Sequence, residues 1–595
     1  MDERLRRSLL LAVGLLMLAL YWATFVSPFM PTPSGTLGHD HRGSLVEATI
    51  GYVHFQKSPF SIPWFTPASC AGNMYIAGAA NPYLNLQQWL TFLLDPLSAS
   101  KINFIVFAGL GLMGTYLLCR RRFSLDTVSS FLGASLFLFN GFFAYRMVIG
   151  HTAFHSYMLI PLIAFLLIPG DLPARTQVRN MLVAAILIAY LILASGAYVL
   201  LTAGLALTGI LAMHTMDSSR HEPRGVMTLQ PFLPLAAAFA VAILLCLFKI
   251  SLTLSTAANF ERDFYPIPGL VSLLDTVTLP LRLLFFSTPE WETESGYLFT
   301  NFRWPIERHE LEMNVGFPVL LLLVFAAVTA RSKIIQAARQ NPVTSLVLLA
   351  VVLVPMVLNF YQPLWNEVLK SIPVLRSFSL YVRLYAAYIP LVVLASALAL
   401  SCIPRYRLPL CIALLAGTVA SHWLIDRSYY TGQKYNPQVL LQFYERFREQ
   451  HGQIPPVSTT SELKYANFEG EAVIVQNEMF AFGSSNIECH NDMFGYRLEV
   501  FPKRNLLIPN ASVFTRSGDR LNFKNPSCYV FPNTNDCEPG DHFTAAQQSS
   551  LENFVRYRGF EFSMPGYQWV SNATSLVTLL IVGFGLITLS RPLKR

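Results

Sequence analysis

The chain has 595 residues, 53% of them hydrophobic and 13% charged, against about 25% charged in an average soluble domain. This balance excludes an ordinary soluble protein, whose core has no use for so much apolar surface. The formal charge of +8 would suit nucleic acid, but in a chain of long apolar runs Lys and Arg mark cytoplasmic loops first, so no nucleic-acid partner is expected.

Apolar runs long enough to cross a hydrocarbon core of about 30 Å recur at 8–29, 101–119, 127–147, 152–169, 178–194, 196–214, 231–254, 314–331, 344–361, 382–402, 407–425 and 573–590. They predict an all-α polytopic membrane bundle of about 12 transmembrane helices. The first run follows Arg4-Leu5-Arg6-Arg7 and lacks an A-x-A cleavage pattern, so an uncleaved span with its N-terminus inside is expected. From that start, the clusters Arg120 to Arg122, Arg175 to Arg179, Arg220 to Arg224, Arg331 to Arg339, Arg405 to Arg407 and Arg591 to Arg595 all fall on the cytoplasmic side. The expectation is a protein of the inner (plasma) membrane with both termini cytoplasmic. Residues 1–425 form the membrane module with outer loops 30–100 and 255–313, 426–571 an extracytoplasmic domain, and 572–595 a last span and tail.

The first outer loop opens with Gly38-His39-Asp40-His41-Arg42-Gly43, followed by Glu47 and His54. A carboxylate there suits a general base toward an acceptor hydroxyl, with imidazoles and a guanidinium for phosphate or substrate; a solvated loop is the bland alternative. His39-x-His41 offers two imidazoles in zinc-like clustering, but no second pair at ligand spacing accompanies it. No metal ligands are therefore assigned, and a divalent ion is the one cofactor left open. Leu86 to Leu97 reads as a short helix lying in the membrane interface.

Between the third and fourth runs stands Arg146-Met-Val-Ile-Gly-His151-Thr-Ala-Phe-His155. If the following helix starts early, His151 and His155 share one face, suited to a phosphate or to proton transfer. Lys249 lies near the outer end of the seventh run, and the loop after it carries Glu261, Arg262, Asp263, Glu290, Glu292, Glu294, Arg303, Glu307, Arg308, His309, Glu310 and Glu312 and an apolar stretch, Leu270 to Phe286, suited to the interface. Before the tenth run comes Pro373 to Arg383, with Arg376 and Arg383 on the side where positive charge is depleted. Their fork-shaped donors suit phosphate oxygens; snorkelling to lipid headgroups is the alternative.

Residues 430–570 change character, with short apolar runs such as Ala472 to Val475 and Tyr496 to Phe501 broken by Asn, Gly and Pro, which predicts a small α/β or mainly β domain. Cys528 and Cys537 flank the turn-rich Pro532-Asn533-Thr534-Asn535 and are the preferred disulfide, with Cys489 to either as the competitor.

Spans, interfacial stretches, an early outer acid and a C-terminal outer domain together resemble the GT-C superfamily of membrane glycosyltransferases. Trp64 to Pro82 and Pro373 to Arg383 are similar to stretches in bacterial members that modify lipoteichoic acid or lipopolysaccharide. The resemblance implies a sugar donor on polyprenyl phosphate and an envelope glycan, lipid or protein acceptor. It also implies inverting transfer at the outer face, with Asp40 deprotonating or orienting the acceptor hydroxyl. Arg376, Arg383, Lys249 and His151 would bind donor phosphate, and His39, His41, Arg42, Glu47, His155 and Glu312 substrate. The paired acids of some GT-C branches are absent, with His39-Asp40-His41 in their place. The rival readings are a polytopic transporter or lipid flippase, which would build sites at the membrane midplane, and a non-catalytic envelope-assembly scaffold.

Overall fold

The computed structural model describes residues 3–30, 35–78, 81–170, 172–218, 230–259, 267–286, 299–300, 306–372, 375, 378, 380–462, 464–465, 474–475, 478–487 and 508–591. Among these, ten helices are long and apolar enough to cross a membrane, or up to 11 if the bent pair Phe317–Thr329 and Arg331–Gln340, which turns by 73°, is one span. The expected count of about 12 is reduced at two places. The run at 314–331 yields a helix of only 13 residues before the bend. The run at 152–169 yields the 16-residue element Thr152–Leu167, whose first half is a 3₁₀-helix. At about 2.0 Å rise per residue in 3₁₀ and about 1.5 Å in α, that element still reaches about 28 Å.

Local sequence sets the helix starts. Asp95 accepts from the amides of Leu97 and Ser98 ahead of Pro96, and Asp126 accepts from those of Val128 and Ser129, so the second and third spans begin with a capped first turn. Inside the third span Asn140 caps a new helix through the Phe143 amide at 2.9 Å. The span is thereby split into Thr127–Leu138 and Gly141–Ile149, and the second piece carries Arg146 to the end of the bundle. The helix Ala174–Ser218 is broken at Gly196, where φ is 70°, a conformation costly to side chains with a Cβ.

The interfacial elements differ in extent from expectation. Leu86–Leu90 is a five-residue helix followed by turns, because Asp95-Pro96 starts the next span. Leu273–Phe285 is amphipathic: Leu273, Leu274, Val277 and Leu281 are exposed, while Leu279, Leu283 and Leu284 are buried. The region beyond Leu424 holds short helices and small sheets, including the three-stranded order Arg516–Ser517, Arg520–Lys524, His542–Thr544. Tyr496 to Phe501 lies outside the described residues. Cys528 is bonded to Cys537 with Cα atoms 5.9 Å apart; Cys489 lies outside the described residues. The region packs on the first long loop, through Phe65 against Phe560 and Phe562 and the Lys524 amide on the Ala71 carbonyl. The last helix, Gly566–Ser590, returns along Leu233–Asn259, joined by Gln568 to Ser251 and Ser575 to the Leu244 carbonyl.

Candidate active site

Four loops at one end of the bundle meet around Asp40. The residue ends the first loop and begins the helix His41–Lys57, yet its carboxylate makes no cap hydrogen bond. Instead Oδ2 lies 2.6 Å from His151 Nε2 and 3.6 Å from His39 Nε2. Two glycines permit this approach. A Cβ on Gly38 would lie 2.5 Å from the Ile149 carbonyl oxygen, and one on Gly150, at φ +108°, would lie 2.2 Å from the His41 amide nitrogen. The Asp40 amide donates to the Ile149 carbonyl at 3.1 Å, which locks the two loops together.

The short helix Arg308–Leu311 closes the other side. His309 stands with its ring centroid 4.7 Å from that of His151. Glu310 is buried and accepts from Arg146 at 2.7 Å and from Arg383 Nε at 2.8 Å, with Arg383 also donating to the second carboxylate oxygen. Both guanidinium groups also approach the Phe154 ring, Arg146 at 5.2 Å and Arg383 at 5.4 Å from its centroid. The two guanidinium groups share the one carboxylate of Glu310, with the ionised Asp40 nearby, so fork-shaped donors that suit an anionic substrate stand next to an acid and two imidazoles.

The electrostatics follow from these neighbours. Burial alone would raise the Asp40 carboxyl, but His151 by charge and hydrogen bond, then His39 and His309, hold it well below the ordinary carboxylate range. Burial likewise opposes ionisation of Glu310, and Arg383 and Arg146 hold it ionised. His309 is pushed down by burial and by His151. His39 goes the other way: burial would lower it, yet Glu307 and Asp40 raise it to about 9.

Asp40, His151 and His309 each offer one ligand atom, all within 4.8 Å of one another. Ligand atoms around one ion at about 2.0–2.2 Å lie within about 4.4 Å, so small side-chain rotations close the group on a cation. His151 Nδ1 and His309 Nε2 are buried without a hydrogen-bond partner among the described residues. An ionised carboxylate with two imidazoles fits a divalent metal such as zinc.

The other expected residues disperse. His39 touches the site through Asp40, but its ring is held by Gln433 and Glu307. His41 is buried beside the Met147 and Val148 backbone, and burial lowers it to about 4. Arg42 and Glu47 are half-buried on the helix that follows. His155 does not share a face with His151: in a 3₁₀-helix, residues four apart are rotated by about 120°, and its Nε2 meets Tyr190 Oη at 2.6 Å. Lys249 donates to the Leu193 carbonyl at 2.7 Å, and Glu312 pairs with Arg308 at 2.5 Å. Arg376 lies outside the described residues. Sequence reasoning passed over Arg146, Glu307, His309 and Glu310 as individual site members. Two signals marked them: a lone Arg inside an apolar run, and the dense Glu307-Arg308-His309-Glu310-Leu311-Glu312 directly before another apolar run.

No protein-family model and no curated protein matches the chain. Among solved structures it is similar to crystal structures of the Archaeoglobus fulgidus oligosaccharyltransferase. With the complex with Zn and sulfate it shares 13% identity and a TM-score of 0.40, covering 84% of this chain and 64% of that one. With the form tethered to an acceptor peptide containing the NVT sequon, identity is 13% and the TM-score 0.43, over 85% and 66%. With the form holding an inhibitory peptide and a dolichol-phosphate, the values are 12%, 0.35, 74% and 59%. The chain thus spans 64% of the length of the first of these structures, a likeness in outline.

Proposed function

We propose that the protein is a GT-C-type membrane glycosyltransferase that moves a sugar from a polyprenyl-phosphate donor to an envelope glycan, lipid or protein acceptor at the extracytoplasmic membrane face. The observation that carries this reading is the pairing of Asp40, His151 and His309 with Arg146, Glu310 and Arg383 at one end of the bundle. A lipid-linked donor enters from the bilayer, and the exposed apolar face of Leu273–Phe285 suits the interface it must cross.

Arg383, with Arg146 behind it, supplies the positive charge for the donor phosphate, whose negative charge grows as the glycosidic bond breaks. Asp40, His151 and His309 are the residues that would hold a divalent ion, which when bound adds charge stabilisation for that phosphate. Asp40 is held ionised far below neutral pH, so it is a weak proton acceptor; its role is to orient the acceptor hydroxyl and to ligate. The acceptor oxygen bonds to the anomeric carbon, the carbon–oxygen bond to phosphate breaks, the acceptor hydroxyl's proton passes to the departing polyprenyl phosphate, and the configuration inverts.

The test is transfer of radiolabelled sugar from polyprenyl-phosphate donors by the full chain in reconstituted membranes. Wild type transfers, and Asp40→Asn, which loses the orienting and ligating carboxylate, transfers at least about a hundredfold more slowly. Equal transfer by the variant would remove Asp40 from the mechanism, and no transfer with any donor class would favour a transporter or scaffold.

A further inference from the structure

His309 has two ring nitrogens in different surroundings. Nδ1 faces two oxygens, Tyr429 Oη at 3.0 Å and Glu307 Oε2 at 3.4 Å. Nε2 is buried, has no hydrogen-bond partner among the described residues and lies 3.7 Å from Glu310 Oε1. A carboxylate only accepts hydrogen bonds and one lies near each nitrogen, but Nδ1 has the nearer one and alone has an oxygen at hydrogen-bond distance, Tyr429 Oη, so Nδ1 is the nitrogen that carries the proton. The Tyr429 hydroxyl donates toward the same Glu307 oxygen at 3.4 Å, which leaves its own oxygen to accept from His309 Nδ1.

Gln433 braces this arrangement. Its Oε1 accepts from the His39 backbone amide at 3.1 Å, a contact that fixes which end of the amide faces His39, and it lies 2.9 Å from His39 Nδ1. Its Nε2 donates to the Tyr429 carbonyl at 2.9 Å. His39 Nε2 then points at Glu307 at 3.1 Å, which holds that carboxylate in place. Tyr429 and Gln433 belong to the connector from the span Pro404–Leu424 into the C-terminal region. The same connector is joined to the first loop by the Leu37 amide on the Tyr435 carbonyl at 2.7 Å.

We infer that Glu307 and Tyr429 are positioning residues that hold His309 as its Nδ1–H tautomer, leaving the Nε2 lone pair to a divalent cation shared with Asp40 and His151. The inference rests on the metal site proposed above. In the opposite tautomer Nε2 carries hydrogen, and His309 ceases to be a ligand. Groups of this kind around ligating imidazoles contribute about 10–100-fold in metal affinity. The C-terminal region thereby contributes to the site through its connector.

The experiment uses the full chain in lipid nanodiscs with Zn²⁺ as the probe, its affinity read by competition with a chelating dye. Glu307 is about half exposed, at 48%, and Tyr429→Phe keeps the ring, so both sites tolerate substitution. Glu307→Gln places an amide beside Nδ1 that can donate to it, and Tyr429→Phe removes the accepting oxygen. Each weakens zinc binding at least about tenfold while the zinc-free protein still unfolds cooperatively; Tyr429→Phe leaves its melting temperature unchanged, and Glu307→Gln lowers it only by the lost pairing with His39. If both folded variants bind zinc within about twofold of wild type while His309→Ala does not, the tautomer inference is overturned and the metal site stands. If wild type binds no zinc, or His309→Ala binds it equally well, the metal site and the inference fall together.

Discussion

One helical turn, Arg308–Leu311, feeds two buried charge clusters of different construction. On one side Arg308 pairs with Glu312, four residues on, and reaches Asp426 at 3.5 Å. On the other, His309 and Glu310 meet groups from distant segments: Asp40, Arg146, His151 and Arg383. The first cluster sets one cation against two acids and is largely local in sequence, the pattern of a strut. The second joins two guanidinium groups, two carboxylates and two imidazoles from distant segments, and His151 Nδ1 and His309 Nε2 have no hydrogen-bond partner among the described residues, the pattern of a site that awaits a cation. Burial alone does not mark function, since Glu312 is as buried as Glu310; the convergence of an acid and two imidazoles from distant segments on one point does.

Neutralising one acid in each cluster separates the two most strongly. Glu310→Gln leaves Arg146 and Arg383 without their shared carboxylate, costs about 3–5 kcal/mol in stability and abolishes detectable transfer. Glu312→Gln destabilises the protein but keeps transfer within about tenfold of wild type. Thermal unfolding beside a transfer assay measures both. Equal loss of transfer in the two variants would erase the distinction.

Next in size is the disulfide. Cys528 and Cys537 close a loop with sequence separation 9, for which chain entropy gives about 2–3 kcal/mol. Replacing both by Ser lowers the stability of the C-terminal region by about that amount, read by its resistance to proteolysis, and spares transfer.

A smaller effect is pH dependence. His39 is raised from 6.5 to about 9, so the stability it contributes is fully present below pH 6.5 and is lost as pH rises through about 9. Melting temperature therefore falls across that window, and Glu307→Gln flattens the fall. The smallest effect is at Lys249, whose ammonium is engaged with the Leu193 carbonyl; Lys249→Met keeps transfer within about twofold, which measures how little a buried cation outside the cluster matters.

The bundle was legible because membrane spans announce themselves by length and apolarity alone. Where the reading missed, the reasons are local. The 3₁₀ stretch after His151 lengthens a short apolar run and rotates His155 away, and periodicity counted as α does not anticipate it. Arg383 stood out as a positive charge on the side where few are expected, and Asp40 as the acid between two histidines just after the first span; both sit in the cluster. His309 and Glu310 were hidden among other charges of their loop, because their partners lie far away in sequence and only packing selects them. Tyr429 and Gln433 carried no signal at all, since a polar connector between a span and a domain reads as solvated.

The central claim is that Asp40, His151 and His309 act as one centre, and a double-mutant cycle on transfer tests it most directly. Single-turnover rates would be measured for wild type, Asp40→Asn, His309→Ala and the double variant in reconstituted membranes. Residues that work as a unit give a double variant no slower than the worse single one. Losses that simply multiply would mean that the two residues act independently, which would contradict the account.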